Sequence, residues 1–284
     1  MIETLVGNTP LVRMSRAIYA KFEAYNPSGS VKDRMALYII KKAEQREELR
    51  PGHTIVEATS GNTGIAMAMV GAYRGYKVII IMPRNMSVER KQMIRAYGAE
   101  IIEVGDNAFA DAIQMKEEMC KENESFFNPR QFSNPDNIAC HAETTAQEIL
   151  KQTPIFSPIR GLILGSGTGG TIMGLHATLK ERYPKMRTIQ VQPAEDNSSH
   201  GIQGINDGKD FLLDNSILDG VIKVTTQEAL DRSRALAQEK GLLVGISSGA
   251  NLLAAERWSQ NRILRGGIVI TVLCDRGERY LSCY

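Results

Sequence analysis

Thr54-Ile55-Val56-Glu57 runs into Ala58-Thr59-Ser60-Gly61-Asn62-Thr63-Gly64 and then into a small-residue stretch over residues 65–73. The first piece reads as a short buried strand and the last as a helix. The middle piece is the turn between them. The alternation continues downstream. Residues 77–82 read as a central strand, because Val78-Ile79-Ile80-Ile81 is apolar on both faces. A helix is expected over 88–97, a strand over 100–104 and a helix over 108–121. Strands buried on both faces and separated by helices predict a parallel sheet covered on each side, an α/β fold.

After an irregular stretch at 126–137, carrying Pro129 and Pro135, the alternation resumes. A domain crossing is placed there. Helices are expected over about 139–151, 171–182, 227–240 and 248–259, and strands over 160–164, 187–192, 221–224 and 268–273. Residues 195–215, rich in Gly, Ser, Asn and Asp, form a loop long enough to suggest a mobile functional segment. The division expected is a smaller mobile domain, 1–11 with 34–137, and a larger one, 12–33 with 138–284.

Upstream, Asn26-Pro27-Ser28-Gly29-Ser30-Val31-Lys32-Asp33-Arg34 is a tight turn opening a helix, with Ser30 expected as N-cap. The helix is expected to close near Arg50-Pro51-Gly52. Lys32 then lies in the first turn, where the helix dipole disfavours a cation. That lowers its pKa and makes its amine a better nucleophile toward a carbonyl. Read alone, it is better taken as an ordinary solvated lysine.

The chain has 284 residues, 43% apolar and 23% charged, with a formal net charge of +2. That composition supports a globular protein of one or two domains. Near neutrality argues against nucleic acid or an anionic membrane as partner. Met1 to Leu5 has neither a basic region nor an apolar core, so no signal peptide is expected. The uncharged apolar stretch 60–73 falls short of the roughly 20 residues a membrane helix needs. Four cysteines without a Cys-x-x-Cys pair, and four histidines without zinc spacing, predict a reduced cytoplasmic protein with no metal.

Three turns carry candidate chemistry. Thr59-Ser60-Gly61-Asn62-Thr63 gathers short polar side chains at a helix start, where free N–H groups suit a carboxylate; a plain cap is the other reading. Gly165-Ser166-Gly167-Thr168-Gly169-Gly170-Thr171 lets backbone N–H groups wrap a phosphate. Its Gly165-x-Gly167-x-x-Gly170 spacing also meets the dinucleotide fingerprint, leaving a nicotinamide cofactor open. However, the next strand ends at Gln190-Val191-Gln192 rather than at an acidic residue. Gly245-Ile246-Ser247-Ser248-Gly249-Ala250 offers hydroxyls or simply a helix cap. A reactive lysine, a carboxylate cradle, a phosphate cup and a hydroxyl together fit pyridoxal phosphate carrying an amino acid.

At these residues the chain resembles the cysteine synthases (O-acetylserine sulfhydrylases), of the tryptophan-synthase-β-like fold type II of pyridoxal phosphate enzymes. The matching motifs, in family order, are Gly7-Asn8-Thr9-Pro10-Leu11, residues 26–34, 59–64, Gln131-Phe132-Ser133-Asn134-Pro135, 167–171 and 245–249. Cys274-Asp275-Arg276-Gly277-Glu278-Arg279-Tyr280-Leu281-Ser282 is similar to the B type, while His200-Gly201-Ile202-Gln203-Gly204-Ile205 looks more like the A type.

The resemblance implies two three-layer αβα domains with mostly parallel sheets, and a homodimer. It implies that Lys32 is the Schiff-base lysine and general base. Asn62 would contact the cofactor's ring hydroxyl, and Thr59, Ser60, Thr63 and Gln131 the substrate carboxylate. Gly167, Thr168, Gly169, Gly170 and Thr171 would cup the phosphate, and Ser247 would meet the pyridine nitrogen. Asp33 and Arg34 read as structural. The implied activity forms L-cysteine from O-acetyl-L-serine and sulfide through an aminoacrylate. A cystathionine β-synthase, an O-phosphoserine- or thiosulfate-using synthase, and a nucleotide-binding regulatory module are the alternatives.

Overall fold

In the computed structural model, residues 1–196, 200–206, 211–260 and 266–283 are described. The elements in chain order are α1 (Ile2–Leu5), β1 (Leu11–Arg13), β2 (Ile18–Phe22), α2 (Lys32–Gln45), β3 (Thr54–Ala58), α3 (Asn62–Arg74), β4 (Lys77–Pro83), α4 (Val88–Ala96), β5 (Glu100–Val104), α5 (Phe109–Glu122) and β6 (Phe126–Phe127). They continue with α6 (Asp136–Cys140), α7 (Ala146–Gln152), β7 (Ile159–Gly165), α8 (Gly170–Arg182), β8 (Arg187–Pro193), β9 (Gly220–Val224), α9 (Thr226–Lys240), α10 (Ile246–Gln260) and β10 (Ile268–Leu273). A 3-10 helix, Gly277–Cys283, follows.

Two sheets organise these elements. One has the order β5-β4-β3-β6 and is parallel throughout. The other has the order β1-β2-β10-β7-β8-β9, with only the β1–β2 pair antiparallel. Side chains alternate across each strand. In β4, Val78, Ile80 and Met82 pack toward α2, α3 and α4, while Ile81 packs toward α5. In β10, Val269 and Leu273 face the α9–α10 side, and Ile268, Ile270 and Val272 face α7 and α8. Each sheet is therefore the middle layer of an αβα sandwich.

Several boundaries differ from the sequence reading. Helix α2 stops at Gln45 rather than near Arg50, because Glu47 takes a left-handed φ of 58° and the N–H groups of Glu48 and Leu49 turn back onto Ala43 O. Ser30 is not the N-cap; Val31 precedes the helix, and Ser30 Oγ accepts from the Lys32 N–H at 3.3 Å. Phe126–Phe127, read as irregular, pairs with Thr54 and Ile55 as an edge strand. The single helix expected over 139–151 is α6, a π-helical turn at His141–Thr145, and α7. Of the long loop, 200–206 and 211–215 line or flank the cleft described below, while 197–199 and 207–210 lie outside the described residues.

The functional turns leave the carboxyl ends of strands. Thr59 follows β3, Ser166 follows β7, Cys274 follows β10, and the Lys32 turn follows β2. In open α/β sheets this is the edge where ligands bind.

Candidate active site

Cys274-Asp275-Arg276 joins the two cofactor-side turns. Val31 N donates to Cys274 O at 2.8 Å, and Ser30 bridges Asp275 in antiparallel fashion. On the other flank Gly245 N donates to Asp275 O at 3.0 Å, and Cys274 N donates to Ser248 Oγ at 2.8 Å. Lys32 and Ser247 are thus held from opposite sides of one strand end. Both line an inner cavity together with Asn62, Gly167, Thr168, Gly169 and Thr171.

Lys32 Nζ has no hydrogen-bond or ion-pair partner among the described residues. Its surface is partly accessible, and it lines the inner cavity and the outer cleft alike. Burial lowers its pKa, against the opposing charge of Asp275. The direction matches the sequence expectation, but desolvation rather than the helix dipole is the leading cause. The neighbouring Cys274 thiol is pushed up to about 12 by burial, so it stays protonated. The turn itself is braced by Asp33, whose buried carboxyl accepts from Ser28 N at 2.6 Å and from Ser28 Oγ.

The glycine loop is clamped from outside. Asn206 N donates to Ser166 O at 3.0 Å, Asn206 Nδ2 to Gly167 O at 2.9 Å, and Leu212 N to Thr168 O at 3.0 Å. Gly169 has a φ of +91°, and a Cβ there would stand 2.5 Å from Leu213 N. Only glycine fits that backbone. Gly170 does not line the cavity; its α-carbon packs against the Asn137 side chain.

Sequence reasoning missed the residues that aim the cup. Asn137 Nδ2 donates to Thr168 Oγ1 at 2.9 Å. His141 Nε2 lies 3.2 Å from Thr171 Oγ1, and its Nδ1 lies 2.9 Å from Thr145 Oγ1. Burial first, then the Arg34 charge, pushes the His141 pKa down to about 3, so the ring is neutral. Only the irregular helix around His141 brings it to the cup, and a π turn has no recognisable spacing in the chain.

The outer cleft, about 520 Å³, continues from Lys32 to Thr59, Ser60, Thr63 and Gln131. Gln131 is fixed at both ends of its amide: Nε2 donates to Ala58 O at 3.0 Å, and Oε1 accepts from Thr63 Oγ1 at 2.8 Å. Gly61 N donates to Thr59 Oγ1 at 3.0 Å. Ser60 Oγ is uncommitted among the described residues. Opposite stand Phe109, Phe132 and Phe211, with ring centroids 5.9 Å and 4.6 Å apart in succession.

An amine without a partner beside a glycine cup is the donor set that pyridoxal phosphate requires: one nucleophilic nitrogen and one anion cradle in a single cavity. Residues 2–275 match the family described as pyridoxal-phosphate dependent enzymes. The chain belongs to that family. It is 41% identical over 299 residues to a cysteine synthase of Staphylococcus aureus (strain Mu50 / ATCC 700699), covering 99% of this chain and 95% of the relative. It is also 41% identical over 290 residues to a cysteine synthase B of Pseudomonas aeruginosa, with 99% and 95% covered. Among solved structures, an O-acetylserine dependent cystathionine β-synthase from Helicobacter pylori superposes with a TM-score of 0.93 at 34% identity, covering 99% of this chain and 97% of that one. The enzyme uses pyridoxal phosphate, and its fold is the α/β arrangement of this family. Among the described residues no helix is long and apolar enough to cross a membrane.

Proposed function

We propose that this family member forms L-cysteine from O-acetyl-L-serine and sulfide by β-replacement. The observation that carries the reading is the unpartnered Lys32 Nζ, shared between the glycine cup and the Thr59–Gln131 cleft. Pyridoxal phosphate, when bound, supplies an aldehyde for the amino-acid amine and an electron-accepting ring. Gly167, Thr168, Gly169 and Thr171 hold the phosphate, with Gly170 packed behind them against Asn137. Asn62 meets the ring hydroxyl. Ser247 holds the ring nitrogen with a hydroxyl, which, unlike a carboxylate, does not favour a protonated nitrogen.

Thr59, Ser60 and Thr63, with Gln131, bind the substrate carboxylate at the start of α3, where N–H groups are free. Lys32 Nζ, its pKa lowered, removes the proton from the substrate's α-carbon as the β-carbon's bond to oxygen breaks and acetate leaves, and it returns a proton to the α-carbon after sulfide has added to the β-carbon. The smaller unit, 1–11 with 34–137, closes over the carboxylate against 12–33 with 138–284 and excludes water. A decrease in radius of gyration on adding substrate would bear out this division; an unchanged value would not. A homodimer is the proposed assembly, supported by the exposed apolar pair Ile155 and Phe156, and sedimentation showing only monomer would end that proposal.

A second reading takes a larger thiol in place of sulfide. The aromatic wall of the cleft and its volume favour it, since sulfide needs neither. The deciding experiment is a spectral titration of the loaded enzyme with O-acetylserine, followed by sulfide, homocysteine or thiosulfate in parallel, with O-phosphoserine as alternative donor. Cysteine released fastest with O-acetylserine and sulfide is expected. No spectral response to either donor would sink the assignment.

A further inference from the structure

The residue that meets the cofactor ring is itself held at both ends by the segment that follows β10. Asn62 Nδ2 donates to Asp275 Oδ2 at 2.6 Å, and Asn62 Oδ1 accepts from Arg279 Nη1 at 2.6 Å. Arg279 Nη2 donates to Ser28 O, in the lysine turn, at 2.6 Å. Asp275 Oδ2 also accepts from the Tyr280 hydroxyl. Asp275 is fully buried and Arg279 is 2% exposed.

A guanidinium only donates, and an ionised carboxylate only accepts. Turning the Asn62 amide over would set two donors against each other on one side and two acceptors on the other. The pair therefore selects one of the two amide orientations. It occupies the oxygen of Asn62 and one hydrogen of its nitrogen, and leaves the second N–H as the group available to the inner cavity that Asn62 lines.

Two glycines of the motifs make room for this arrangement. A Cβ at Gly29, beside Lys32, would stand 2.8 Å from Arg279 Nη2. A Cβ at Gly245, next to the Ser247 turn, would overlap Asp275 Oδ1. The lysine turn and the Ser247 turn are thus both shaped to admit the same two side chains.

We propose that Arg279 and Asp275 are positioning residues that lock the Asn62 amide with an N–H toward the cofactor's ring oxygen. The proposal rests on the reading of this cavity as the pyridoxal phosphate site. Arg279 acts through Asn62, and so does Asp275; the two make one unit.

The test compares wild type, Arg279→Met, the isosteric Asp275→Asn and Asn62→Ala, together with the double variant Asn62→Ala/Arg279→Met. Each is loaded with pyridoxal phosphate. The readouts are the position and pH dependence of the visible absorption band, cofactor affinity by equilibrium dialysis, and the melting temperature before loading. Arg279→Met is expected to displace the band in the direction that Asn62→Ala does and to weaken the cofactor about tenfold, the worth of one good hydrogen bond. Asp275→Asn should shift the band in the same direction without a large loss of melting temperature, and so answers the question if Arg279→Met folds poorly. The double variant should show the band and affinity of Asn62→Ala, because a positioning residue has nothing left to position. A wild-type band and affinity in Arg279→Met and Asp275→Asn, with only the melting temperature lowered, would overturn the proposal while leaving the cofactor reading intact. A wild type that forms no visible band would overturn both.

Discussion

Lys21 and Lys32 both lose water on folding, and burial lowers the pKa of each. Lys21, on β2, is fully enclosed yet satisfied: Nζ donates to Thr9 O at 2.6 Å and to Gln152 Oε1 at 2.9 Å, and pairs with Glu148 at 2.6 Å. Glu148 in turn binds Arg34 Nη1 at 2.6 Å, and Arg34 Nε binds Glu23 at 2.7 Å. Lys32, in the turn after β2, has no such partner among the described residues and opens onto a cavity. The same desolvation acts on both, but only the amine left unpaired keeps its lone pair accessible to an electrophile. Fully partnered buried charge fixes a structure, whereas unpartnered buried charge is available for chemistry.

The strongest way to break this contrast is Lys32→Ala. Cysteine formation should fall by about 10³-fold or more while circular dichroism and the denaturant midpoint stay put. A rate within tenfold of wild type would remove the amine from the mechanism. Lys21→Met should do the reverse, lowering stability by about 3 kcal/mol in urea unfolding while the visible cofactor band persists, because it strips one partner from a buried pair. Should Lys21→Met abolish the band at full stability, the two lysines have been assigned the wrong way round.

Ser247→Asp sharpens the point within the site itself. The variant should keep the cofactor but slow the response to O-acetylserine about tenfold, equivalent to about 1.4 kcal/mol in the barrier. An unchanged or faster response would count against a hydroxyl at the ring nitrogen having an electronic purpose.

The smallest effect concerns acid. Burial tends to raise the Glu148 pKa, but its hydrogen bond and charge contact with Arg34, and its bond from Lys21, outweigh this and hold it down at about 2. A carboxylate whose pKa is depressed on folding stabilises the native state above its unfolded value of about 4.3. That contribution is lost as pH falls from there through about 2. Glu148→Gln should therefore show a flatter loss of melting temperature over this range than wild type. Parallel curves would mean that the Lys21 cluster contributes nothing through ionisation.

Most of the αβα architecture is legible from runs such as Val78-Ile79-Ile80-Ile81, because a strand buried on both faces must be apolar at successive positions. The site turns are legible for a related reason: a glycine loop or a lysine at a helix start is a local arrangement, readable over a few residues. What escapes is whatever depends on distant partners. Asn137 and His141 aim the cup from a helix broken by a π turn. Phe126–Phe127 becomes a strand only because Thr54 and Ile55 offer it an edge. Arg279 reaches Asn62 across 217 positions, and no spacing rule links them. The origin of the Lys32 pKa shift belongs here too, since the helix start is visible in the sequence but the enclosing cavity is not.

The pairing of β2 with β10 sets an order on biosynthesis. Ile18 to Phe22 lies beside Val269 to Leu273, and the Lys32 turn closes on the segment that starts at Cys274. That closure is possible only once Cys274 has left the ribosome. The nascent chain therefore carries the Lys32 amine unshielded until then, and a chain cut short ahead of β10 lacks the strand end on which the Lys32 turn is seated.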